Sequence, residues 1–188
     1  MKIVTLLIML VLNTGIAQAN LVDYVAQMNR SEVSNPHNHL TSADALGDTE
    51  IEERLNLIRE YAAEYELNQY YLEMVATVVK ETRFVNYEVL DDGKSFGWIS
   101  MRWITAEELA EKYDINYITR IDFYDNNIQA ELLVLYFKES LERFGDINKT
   151  IISYNVGRWA NFKKYKYRSY FYEVKGITNY LEGILDKG

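Results

Sequence analysis

The chain has 188 residues, 48% of them apolar, a formal charge of −8 and no cysteine. That length and apolar fraction suit one globular domain with a core of ordinary size. The missing cysteine excludes a disulfide scaffold and a thiolate nucleophile, and the acidic balance argues against nucleic acid, whose phosphates require a basic face.

Residues 1–19 read as a cleavable secretory signal: Lys2, an apolar run from Ile3 to Leu12, and Ala17-Gln18-Ala19, with cleavage expected after Ala19. The run is too short for a membrane span, so no stable membrane anchor is expected and the mature protein should be periplasmic or secreted. Residues 20–48 are polar and carry the only proline, Pro36. Apart from a short helix around Leu21 to Met28, they read as a flexible arm, through which an envelope protein partner would dock. His37 and His39 flank Asn38 in this arm, but no carboxylate or cysteine set completes a metal site, so neither metal nor cofactor is expected.

Residues 49–188 read as one helical domain. Ile51, Leu55, Ile58 and Ala62 recur at helical spacing in a first helix, with Glu50, Glu52, Glu53 and Arg54 on its wet side. Asn68 is placed as the N-cap of a second helix that carries Leu72, Val75, Ala76 and Val79 and ends near Glu81. Asp91-Asp92-Gly93 marks a turn or hairpin tip, and Thr105 with Glu108 forms a capping box opening a third helix to about Tyr113. A fourth helix spans about Asp125 to Phe144 and stops at Gly145, a fifth runs from Asp146 to Gly157, and a last one covers about Tyr170 to Leu185. The fold class is therefore all-α, with a small loop or hairpin beside a cleft.

Glu81 carries the chemistry. It lies three residues after Val78 and seven after Met74, so its carboxyl falls at the edge of an apolar face, a setting that favours a neutral acid. Downstream come Ser95-Phe96-Gly97-Trp98-Ile99-Ser100-Met101, then Thr105-Ala106, and much later Ser153-Tyr154-Asn155-Val156-Gly157. Lys80-Glu81-Thr82-Arg83-Phe84 and these blocks, in this order, resemble the catalytic domain of the soluble lytic transglycosylases, lysozyme-like enzymes that cleave peptidoglycan. The resemblance covers roughly Ile58 to Tyr180.

The resemblance implies a lysozyme-like fold and glycan strands of peptidoglycan as the partner. It further implies Glu81 as general acid and base, Tyr154 as its catalytic companion, and a substrate-binding set of Thr82, Gly97, Trp98, Ser100, Met101 and Asn155. One acid would suffice, because the C6 hydroxyl of the muramoyl residue replaces water and gives a 1,6-anhydro product. The sequence departs from the family pattern in places: Thr82 stands for a serine, Trp98-Ile99 for Leu-Met, Ser100 for a glutamine, and Trp103 for a proline. Trp98, Trp103 and Trp159 could each present a flat face to a ligand or belong to the core. Two other readings stay open at this point. A muramidase would use Glu81 with Asp91 or Asp92 to direct water, and a decayed relative would bind glycan without cleaving it.

Overall fold

The computed structural model describes residues 17–31, 46–87, 90, 92–157, 162 and 168–186. Its elements are helix α1 (17–31), α2 (Asp48–Glu64), α3 (Tyr71–Glu81), the two-residue strands β1 (Ser95–Phe96) and β2 (Met101–Arg102), then α4 (Trp103–Tyr113), α5 (Asn126–Phe144), α6 (Ile147–Val156) and α7 (Arg168–Leu185). The protein is all-α with one small antiparallel hairpin, as the periodicity predicts. Among the described residues, no helix is long and apolar enough to cross a membrane.

α3 is the central helix. Met74, Val75, Ala76 and Val78 are fully buried on successive faces, which a helix tolerates only when neighbours surround it. Those neighbours are α7, α2 and α5. Lys175 Nζ lies 3.1 Å from Glu73 Oε1 and Lys80 Nζ 2.5 Å from Glu173 Oε2, so α3 and α7 are also tied along their rims. The other caps follow local chemistry. The Asp125 side chain accepts from Asn127 N at 2.8 Å and Ile128 N at 3.3 Å, and Asp146 accepts from Asn148 N at 2.7 Å and Lys149 N at 3.3 Å. Gly145 ends α5 at φ 60°, the left-handed geometry that glycine adopts most cheaply.

Four local expectations are corrected. Asn68 does not cap α3, because it opens a 3₁₀ turn, Asn68–Tyr70, that feeds the helix. α4 begins at Trp103 rather than at Thr105, since β2 runs directly into it with Arg102 as the N-cap, and Thr105 falls inside the first turn. Arg54 is not on a wet side: it is 3% exposed. The short helix expected around Leu21 to Met28 is present, but it runs over 17–31 and belongs to the core rather than to a flexible arm. α1 buries Leu21, Val22, Val25, Ala26 and Asn29, one stripe at helical spacing, and Tyr24 packs on Tyr180 of α7 with ring centroids 4.8 Å apart. Burial of that stripe stabilises the domain, so this stretch cannot serve as a loose tether. The signal segment up to residue 16 and His37 and His39 lie outside the described residues.

Candidate active site

Glu81 is the last residue of α3, and the chain turns sharply behind it. Arg83 and Phe84 both adopt left-handed backbone, φ 52° and 64°, which costs on the order of 1 kcal/mol or more per residue without glycine. Two side chains from distant helices hold the turn. Asn29 Nδ2 of α1 donates to Arg83 O at 3.0 Å, and the Arg54 guanidinium of α2 donates to Phe84 O at 2.5 Å. Burial pushes Arg54 down to about 10, against the attraction of Glu50 and Glu53, so the guanidinium remains charged at neutral pH. Its Nε donates to Asn126 Oδ1 at 3.1 Å, and the same oxygen accepts from Trp98 Nε1 at 3.1 Å.

Trp98 is therefore not a cleft aromatic. It is fully buried, stacked on Phe84 with centroids 5.5 Å apart, and covered by the Arg54 guanidinium at 5.5 Å. Thr82 is likewise not a sugar contact. Its hydroxyl is buried and donates toward Trp98 O and Val78 O, tying the end of α3 to the hairpin turn. Gly97 is needed for room rather than for substrate: at φ 71°, an added Cβ would come 2.0 Å from Gln129 Oε1, the atom that accepts from Trp98 N at 2.9 Å. These three residues hold the site from behind: the Trp98 and Thr82 side chains belong to the layer between α3, α5 and the hairpin, and Gly97 leaves the room that Gln129 fills.

The remaining predicted residues meet at one cavity of about 570 Å³, lined among others by Glu81, Ser100, Met101, Tyr154, Asn155 and Tyr136. That size is in the range of ligand clefts. The turn from Gly97 to Ser100 joins β1 to β2, and Ser100 at φ 52° gives it the curvature that turns residue 100 toward the cavity. Glu81 is half-buried, and its Oε1 is shut off from solvent. Lys80 beside it is paired with Glu173 of α7. Asp92 lines the same cavity, whereas Asp91 lies outside the described residues, as does Trp159. Trp103 is half-buried and stacked on Phe96 with centroids 4.1 Å apart, in the aromatic cluster under the hairpin.

Tyr154 stands beside Glu81, but its proton points elsewhere. Its hydroxyl donates to Ile99 O at 2.5 Å, fastening α6 to the hairpin turn. Burial first, then the negative charge of Glu81 and the neighbouring Tyr136, push this phenol well above its ordinary value, so it stays neutral. A second tyrosine, Tyr170 of α7, escaped the reading of the sequence. Burial first, then the nearby Glu81 carboxyl, raise its hydroxyl well above the usual phenol range. Glu81 thus has two neutral phenols beside it. Tyr136 closes the same corner, donating to Ser153 O at 2.7 Å and meeting Tyr154 edge-on at 4.9 Å.

No known protein family, curated protein or solved structure matches the chain.

Proposed function

We propose that the protein is a peptidoglycan lytic transglycosylase with a lysozyme-like arrangement of helices, cleaving the β-1,4 bond between N-acetylmuramic acid and N-acetylglucosamine outside the cytoplasm. The observation that carries the reading is Glu81 at a cavity of about 570 Å³, one carboxyl oxygen buried and two neutral tyrosines beside it. A glycosidic oxygen is a poor leaving group until it is protonated, so the reaction needs one carboxylic acid at a partly dry site. In the proposed step, Glu81 gives its proton to the bridging oxygen as the C1–O bond breaks, and the N-acetyl group shields the developing cation. The C6 hydroxyl then bonds to C1 and returns its proton to Glu81. No water is consumed and the acid is regenerated, which is why a single carboxyl completes the cycle. An internal hydroxyl outcompetes water through its effective concentration.

Within this mechanism Tyr170 orients the carboxyl, Tyr154 fixes the hairpin turn against it, and Ser100, Met101 and Asn155 face the sugars. Asp92 on the same cavity favours a hydrolytic second reading, in which it would direct water at the opposite face of the sugar. Mass spectrometry of soluble products from purified peptidoglycan tests both. Anhydromuropeptides from the wild type and none from Glu81→Gln would support the transglycosylase. Reducing ends would move the reading to a muramidase, and no products from the wild type would leave a glycan-binding protein.

A further inference from the structure

The same cavity carries two cations that the cleavage chemistry does not use. Lys94 and Arg102 line it, both exposed, one just before β1 and the other at the end of β2. Their backbones are held together by the hairpin: Ser95 pairs with Arg102, and Trp103 N donates to Lys94 O at 3.1 Å. Other cations are engaged in various ways: Lys80, Lys112, Lys175 and Arg120 each hold a carboxylate, and Lys138 lies over the Tyr65 and Tyr113 rings. Lys94 and Arg102 have no ion-pair partner among the described residues, although the chain carries 28 acidic residues against 20 basic ones. The acidic groups on the same cavity are Glu81 and Asp92. α4, which starts from Arg102, has no acidic residue in its first turn to neutralise it.

Neutral sugar rings offer two ammonium and guanidinium groups no ionic partner. A carboxylate does, and an arginine with a lysine at a cleft rim can hold one through charge-assisted hydrogen bonds. Resting on the reading of the site as a glycan cleft, we infer that Lys94 and Arg102 bind a carboxylate of the stem peptide, so that the cleft selects strands whose stems carry free carboxylates.

Binding is measured first, so that the outcome does not depend on cleavage. Glu81→Gln protein is sedimented with purified sacculi, either intact or with their stem-peptide carboxylates converted to amides by a carbodiimide and ammonia, which leaves the cross-links whole. The intact wall should retain about ten-fold more protein, the order that a few partly exposed charged contacts supply. The difference should shrink as salt is raised through the range where the screening length falls below about 8 Å. Adding Lys94→Gln and Arg102→Gln should bring the ratio for the two walls close to one, with an unchanged circular dichroism spectrum and melting midpoint. Equal binding of the uncharged-variant parent to both walls would overturn the inference, as would a preference that survives in the double variant. Failure of the glycosidase reading looks different: the wild type would release no soluble product from either wall, whatever the binding ratio.

Discussion

Behind Glu81, Trp98, Phe84 and the Arg54 guanidinium form a dry layer in which each polar group is claimed by a protein partner; in front of it, Ser100, Asn155, Lys94 and Arg102 face an open cavity of about 570 Å³. The same short sequence blocks supply both sides. Thr82 adjoins Glu81 yet points into the dry layer, while Ser100 lies two residues from Trp98 yet faces the cavity. What separates them is backbone handedness, since the left-handed residues Arg83, Phe84, Gly97 and Ser100 turn the chain at each change of side. The rear therefore sets where the acid stands, and the front sets what it meets.

The sharpest way to break this division is at its boundary. Glu81→Gln should lower cleavage by about a thousand-fold or more, the upper range of a positioned general acid, while the melting midpoint stays within a degree or two. A large drop in melting would mean that Glu81 belongs to the rear layer. Next in size, Gly97→Ala acts wholly on the rear. At φ 71° its methyl would meet Gln129 Oε1 at 2.0 Å, so the hairpin turn or Gln129 must shift. A loss of roughly 3 kcal/mol in urea denaturation is expected from the combined strain and crowding. An unchanged midpoint would show that the turn is free to move.

How much of this was legible in the sequence follows the same division. α5 and α6 could be read because Asp125, Gly145 and Asp146 are local signals that need no distant partner. Glu81, Ser100, Met101, Tyr154 and Asn155 were legible as a set, since the order of their blocks is a property of the chain. Arg54 was not: it bonds Phe84 O and Asn126 Oδ1, partners 30 and 72 residues away, and nothing near it in sequence marks it as buried. α1 hid its stripe of Leu21, Val22, Val25 and Ala26 among polar neighbours, and its partners, among them α2, α7 and the turn after Glu81, are all distant in sequence. Tyr170 could not be singled out among 16 tyrosines, because its meaning comes from α7 lying against α3.

Titration separates the layers by a smaller amount. Burial pushes Tyr71 up to about 12, with Arg59 acting in the opposite sense, and raises Tyr154 and Tyr170 well above the usual value. A phenol whose folded value is raised contributes stability that is complete below about pH 10 and is lost as pH rises through the folded value, because the unfolded chain ionises first. Tyr71 alone accounts for roughly 3 kcal/mol over that window. Arg54, pushed down to about 10, works the other way over the same range, since deprotonation relieves the cost of burying its charge. The phenols outnumber it, so the urea midpoint should hold level near pH 8 and fall toward pH 11.5, with Tyr71→Phe falling less. A level profile throughout would mean that water reaches these hydroxyls.

The smallest effect is the most discriminating, because it sets two similar tyrosines against each other. The Tyr170 hydroxyl is buried beside Glu81 and is not held by any other group. Tyr170→Phe should lower kcat about ten-fold, leave KM nearly unchanged and leave the melting midpoint where it was, as expected for a group that only orients the acid. Tyr154 is bonded to Ile99 O at 2.5 Å, so Tyr154→Phe strands that carbonyl and should cost about 1 kcal/mol of stability as well as rate. The loss in rate should include KM, since the turn carrying Ser100 and Met101 is what Tyr154 holds. If the two variants behaved alike, the distinction between a residue that faces the acid and one that fastens the wall around it would collapse. Tyr170 would then be a packing residue of α7.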